Sequence, residues 1–135
     1  MTSYSKKSLL QKLGIKEGMN ICILNEPDNY KESLGKIPYA PPAYQNDNEP
    51  YDFVHFFTKS QELLKEEFPK LKKSLKKNGM IWISWPKGAC NIATDLNENI
   101  IRTIGLKNGL VDVKVISIDE VWSGLKFVYR LKDRA

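Results

Sequence analysis

Two cysteines, one histidine and no long apolar run are the scarcities of this 135-residue chain, and each closes off a class of function. Cys22 lies inside the apolar run Met19 to Leu24 and Cys90 follows Gly88-Ala89, so neither has a spaced partner for a metal or a redox pair. Both read as reduced thiols acting as small apolar side chains. His55 with two distant cysteines supplies no familiar zinc spacing, so no metal is expected. No apolar run approaches the ~20 residues that span a bilayer, and MTSYSKKSLLQKLG lacks the apolar core of a signal peptide. The expectation is a cytoplasmic protein with no membrane partner, forming one domain, 1–135, large enough to bury roughly two thirds of its unfolded surface without disulfides.

What is present in quantity is lysine. The chain carries 21 basic and 16 acidic side chains, a formal net charge of +5 that favours anionic partners weakly. Lys65, Lys70, Lys72, Lys73, Lys76 and Lys77 follow Glu62, Glu66 and Glu67, an order that complements a helix dipole and reads as a solvated helix face. No aromatic residues interleave with these lysines, so the expected partner is a small anionic ligand or a protein rather than nucleic acid.

The apolar pattern divides the chain into alternating elements. SLLQKLG reads as a short helix capped by Ser8 and stopped at Gly14, and MNICIL as the first strand. After the turn NEPDN, a short helix is expected over Asp28 to Leu34. Gly35 to Pro50 holds four prolines and reads as an irregular loop with a possible edge strand near Tyr39 to Tyr44. YDFVHFFT is the second central strand. The next helix is expected from a cap at Thr58 or Ser60 to about Lys77, with a kink or break at Phe68-Pro69. Asn78-Gly79 then leads into the strand Met80 to Trp85. Leu96, Ile100, Ile101 and Ile104 predict a helix capped by Thr94 or by Asp95 with Glu98. VDVKVISI and LKFVYRL alternate as strands, and their short connection predicts a hairpin.

GMIWISWPK is the most informative stretch: a buried strand entered through glycine and left through proline. In an open α/β sheet ligands sit outside the carboxyl ends of the strands, which places Trp85, Lys87, Asn91, Thr94 and Asp95 at the expected site. A second candidate cluster is the hairpin connection, with Asp119, Glu120, Trp122, Ser123 and Lys126. Ser123 has no histidine placed to activate it as a nucleophile. His55 shares a strand face with Phe53 and Phe57 and reads as a packed or hydrogen-bonded core residue. The order of elements predicts a single-domain, three-layer Rossmann-like α/β fold with a mostly parallel sheet and a C-terminal antiparallel hairpin.

From Tyr51 onward this layout, YDFVHFF, helix, KKNGMIWIS, helix and hairpin, resembles the second half of a class I methyltransferase fold. In that family the first strand leads into a glycine-rich turn where the backbone approaches the cofactor, whereas ICIL here is followed by NEPDNY. The resemblance therefore implies the sheet without a glycine cradle for S-adenosylmethionine (SAM) or a dinucleotide, and no cofactor is expected. Glu26 stands near the acidic position the family uses. Over nearly its whole length the chain also resembles the bacterial family called domain of unknown function 3052. That resemblance rests on KLGIKEGMNICILNEPDNY, GMIWISWPKGACNIATDLNENIIR and GLVDVKVISIDEVWSGLKFVYR; it implies a fold and carries no reaction.

The resulting expectation is a non-catalytic binding or regulatory module on a degenerate methyltransferase-like fold, its ligand edge formed by Trp85, Lys87, Asp95, Glu120, Trp122, Ser123 and Lys126. Two alternatives stand beside it. One is an enzyme acting on a small anionic substrate at the same edge, with Lys87 or Lys126 binding it and Asp95, Asp119 or Glu120 moving protons. The other is an interaction module using the proline- and tyrosine-rich segment Ile37 to Tyr51.

Overall fold

Ser8 and Gly14 bound the first helix, α1 (Leu9–Leu13), as their chemistry dictates. In the computed structural model, which describes residues 8–34 and 50–134, the Ser8 side chain accepts from the Gln11 amide and Gln11 answers with its own side chain. Gly14 ends the helix at φ 87°, a left-handed conformation that costs glycine nothing. The remaining elements are β1 (Ile21–Leu24), α2 (Tyr30–Leu34), β2 (Tyr51–Phe57), α3 (Gln61–Lys73), β3 (Leu75–Pro86), α4 (Glu98–Lys107), β4 (Leu110–Ser117) and β5 (Trp122–Tyr129), followed by a 3-10 turn, Leu131–Asp133. The expected loop and edge strand over 35–49 lie outside the described residues.

The strands form one five-stranded sheet in the order β1-β2-β3-β5-β4. β1 to β2 and β2 to β3 pair parallel, while β5 pairs antiparallel with both β3 and β4. The sheet is therefore mixed rather than mostly parallel. The returning strand of the C-terminal hairpin inserts between β3 and β4 instead of adding at the edge, so one reversed strand makes two antiparallel contacts.

Helices cover both faces. α3 and α4 bury Leu64, Phe68, Leu71, Ile101 and Ile104 against Val54, Phe56, Ile81, Ile83, Leu125 and Phe127. α1 and α2 bury Leu10, Leu13, Tyr30 and Leu34 against Ile21, Ile23, Phe53, Phe57 and Trp82 on the opposite face. The indole N–H of Trp82 donates to the Leu13 carbonyl at 3.0 Å, satisfying the end of α1 with a side chain from the sheet. Gly105 lets α4 settle directly on β5: a Cβ there would lie 2.1 Å from the Phe127 ring.

Three expected boundaries move. α3 ends at Lys73 rather than near Lys77, and runs through Pro69 without a break in helical structure. β3 starts at Leu75, because the Ser74 carbonyl accepts from the Tyr51 amide at 2.8 Å and Leu75 pairs with Tyr51. The register then jumps, so that Phe53 pairs with Met80, and Gly79 fills the irregularity where a Cβ would lie 3.0 Å from the Tyr51 and Asp52 carbonyls. Finally, α4 is capped by Asn97, whose side chain accepts from the Ile100 amide, and not by Thr94 or Asp95.

Candidate functional site

β1, β2 and β3 run parallel, so all three end at the same edge of the sheet. Because Pro86 pairs with Trp122, the turn between β4 and β5 joins them there. The chain leaves β1 toward α2 on one face and leaves β2 toward α3 on the other. Connections that diverge in this way open a crevice outside the carboxyl ends of the two strands, the place where ligands bind in open α/β sheets.

The loop after β1 forms one wall of that crevice. Asn25 holds φ 60°, the one non-glycine residue with positive φ among the described residues, and asparagine is among the few side chains that enter this region at low cost. Its Nδ2 donates to the Phe57 carbonyl at 3.3 Å, joining the ends of β1 and β2. Asn29 reaches further and donates to Asp119 Oδ2 at 3.4 Å. Glu26 and Asp28 stay exposed in the same loop.

The β4–β5 turn meets this loop at Asp119. Asp119 Oδ1 accepts from the Val121 and Trp122 amides, each at 2.8 Å, an Asx-type turn that sets the loop's shape. Lys87 docks on this turn twice: its amide donates to the Val121 carbonyl at 2.8 Å and its Nζ donates to Ser117 Oγ at 2.7 Å. Trp122 stands edge-on to Phe57 with ring centroids 5.2 Å apart, closing the core beneath the crevice.

Directly under the edge lies a buried polar chain. The Tyr30 hydroxyl meets His55 Nδ1 at 2.9 Å, and His55 Nε2 meets Ser84 Oγ at 2.8 Å. His55 and Ser84 have no solvent exposure and Tyr30 has 2%. Burial pushes the His55 pKa down to about 3, so the ring is neutral at physiological pH. A serine and histidine at this distance have the spacing of an activated nucleophile, but sealed from solvent they serve a structural purpose: the chain pins α2, and with it the β1 loop, to β2 and β3.

The predicted site residues divide. Lys87 and Glu120 stand at the edge as expected, and Trp122 and Ser123 border it as the first residues of β5 rather than as turn residues. Trp85 does not project toward a ligand; it is 6% exposed within the core under α3 and α4. Asp95 caps a helix, but a different one: its Oδ1 accepts from the Gln61 amide at 2.8 Å, at the start of α3. Lys126 sits inside β5, opposite Trp82 on one side and Lys114 on the other, where burial and then the Lys114 charge lower its pKa. Asp52, at the start of β2, pairs with Lys76 at 3.1 Å and accepts from the Asn20 amide at 2.8 Å. Tyr51, offered as part of an exposed interaction segment, is buried, and the rest of that segment apart from Pro50 lies outside the described residues. Among the described residues no cluster of His, Cys, Asp and Glu could hold a metal, and no helix is long and apolar enough to cross a membrane.

Sequence reasoning missed Asn25, Tyr30 and Ser84. The available signal was a polar residue embedded in each of two apolar runs, His55 in FVHFF and Ser84 in MIWISW, which need partners once buried.

Neither a protein-family profile nor a curated protein matches this chain. Solved structures do. A magnesium protoporphyrin IX methyltransferase from Synechocystis PCC 6803 with bound SAH matches at TM-score 0.61 and 13% identity, over 90% of this chain and 78% of that one. The same enzyme with bound SAM gives 0.62 and 13%, over 90% and 74%. A SAM-dependent methyltransferase from Aquifex aeolicus gives 0.59 and 14%, over 88% and 86%. The fold is thus that of class I SAM-dependent methyltransferases. This overturns the expectation of a non-catalytic module on a degenerate fold. The fold likeness extends over 90% of the chain rather than only its C-terminal half, and the chain turns after β1 on Asn25 rather than on glycine.

Proposed function

We propose that this chain is a SAM-dependent methyltransferase whose cofactor lies in the crevice between the loops that follow β1 and β2. The observation that carries the reading is the left-handed turn at Asn25, placed where the two connections diverge to opposite faces. A glycine-rich turn serves such a site by admitting positive φ next to the ligand. Asn25 supplies one left-handed residue after β1 without a glycine. Membership of the domain of unknown function 3052 family belongs to this proposal and rests on the three phrases quoted above.

The residues present suit the group. Glu26, exposed beside the turn, offers two acceptor oxygens for the vicinal hydroxyls of a ribose. The Asn25 to Phe57 bond and the Tyr30, His55 and Ser84 chain hold that carboxylate's loop in place. SAM, when bound, supplies a methyl group on a sulfonium centre. Lys87 and Trp122 border the same edge, where an acceptor would approach.

Calorimetric titration tests this directly. Stoichiometric binding of SAM and SAH is expected, weakened about tenfold or more by Glu26→Ala, the loss associated with a hydrogen bond to a charged group. Absence of both heat and thermal stabilisation at saturating SAM would sink the proposal.

A further inference from the structure

A hollow lies on the outer surface between α3 and α4, with a volume of about 630 Å³. Each helix follows a strand of the same direction, so the two lie side by side and parallel. α3 lines the hollow with Gln61, Lys65 and Pro69, and α4 with Asn99, Thr103 and Lys107. Both sets repeat every four residues, giving two facing rows about 12 Å long at 1.5 Å per residue. Ile100 and Ile104 supply apolar surface between the rows.

The chemistry of this groove is one-sided. None of its lining residues is acidic, and neither Lys65 nor Lys107 forms an ion pair among the described residues. Of the acids nearby, Glu98 pairs with Arg102 and Glu67 with Lys70, while Glu62 and Glu66 are exposed on α3 outside the lining. Pro69 has no N–H, so the Lys65 carbonyl four residues before it lacks its helical donor, on the turn that faces the groove. Side-chain amides at Gln61 and Asn99 add both donors and acceptors along the rim.

We propose that the α3–α4 groove docks an extended acidic segment of a partner polypeptide. At about 3.3 Å per residue, four extended residues fit a channel of this length. The amides and the Lys65 carbonyl meet the segment's main chain, Lys65 and Lys107 meet its carboxylates, and the isoleucines take an aliphatic side chain. This site is separate from the SAM crevice and does not depend on it.

Fluorescence anisotropy on the full chain tests the assignment, with a short labelled peptide of alternating glutamate and leucine and its lysine counterpart as probes. Saturable binding of the acidic peptide alone is expected, weakened about tenfold or more in the Lys65→Glu, Lys107→Glu double variant and by added salt. Both lysines are exposed, so the variant keeps its fold, which far-UV circular dichroism checks. Pro69→Ala restores the helical donor and is expected to weaken binding a few-fold. No saturable binding, equal binding by the double variant, or displacement by citrate at concentrations matching the peptide's own affinity would each overturn the proposal, the last by revealing a small-anion site.

Discussion

The two faces of the sheet are built from different materials. Under α3 and α4 the interior is hydrocarbon and aromatic, with Phe68 and Phe127 edge to face at 5.5 Å and Gly105 bringing the helix down onto the ring. Under α1 and α2 the interior is just as tightly closed but threaded by Tyr30, His55 and Ser84. Non-directional burial is enough to hold long helices with continuous apolar stripes. α2 has only five residues, of which Tyr30 and Leu34 are buried, so it needs directional bonds to fix the loop before it. The difference assigns stability chiefly to one face and positioning of the β1 loop to the other.

Substitutions on each face test that division. The largest effect is expected for Phe127→Ala, about 3–5 kcal/mol in urea unfolding, because the ring is fully buried between α3, α4 and β5. Next comes a pH effect confined to the polar face. His55 takes up protons less readily folded, at about 3, than unfolded, at 6.5, so its contribution is fully present above pH 6.5 and is lost as pH falls toward 3. The slope is at most about 1.4 kcal/mol per pH unit, and His55→Asn is expected to lack it when unfolding is compared across this range. Tyr30→Phe removes the hydroxyl from His55 Nδ1 and should cost about 1–3 kcal/mol, with SAM affinity falling alongside stability. If Phe127→Ala lowers SAM affinity as much as Tyr30→Phe does in folded protein, the proposed division of labour is wrong. The smallest effect belongs to the turn itself. Asn25→Ala should be less stable than Asn25→Gly by about 1 kcal/mol, since both lose the bond to Phe57 and only alanine is strained at φ 60°. Equal thermal midpoints for these two variants would show that the left-handed turn is not held in solution.

Local chemistry made much of this legible. Ser8 and Gly14 mark α1, Ser60 caps α3 as one of two expected candidates, and the apolar density of YDFVHFF and MIWISW identifies the central strands. The failures share a cause: the deciding partner is remote. Leu75-Lys76-Lys77 continues a lysine-rich helix by composition, yet Tyr51 and Asp52 pull it into β3. Asp95 looks like the cap of the helix it precedes, but it accepts from the Gln61 amide and Asn97 caps α4. Trp85 ends its strand in sequence while facing inward to the α3–α4 core. Likewise nothing within VDVKVISI or LKFVYRL says which of the two strands lies beside β3. At the edge, Lys87, Glu120 and Trp122 were readable because the position of strand ends is a property of the fold class. The chain linking Tyr30 to Ser84 was not, since it joins three elements across 54 positions of sequence.

That chain also has a direction. A neutral imidazole carries one proton on its ring nitrogens, so His55 donates on one side and accepts on the other. Either Tyr30 donates to Nδ1 and Nε2 donates to Ser84, or both bonds run the opposite way. Reversal requires the ring proton to change nitrogen, so the two hydroxyls cannot reorient independently. In the first state the Ser84 hydrogen is left for a further acceptor near β5, and in the second the Tyr30 hydrogen is left for one near α2. The core thus holds a single two-valued polarity, readable from the ¹⁵N shifts of one imidazole, that biases the field beneath the crevice one way or the other.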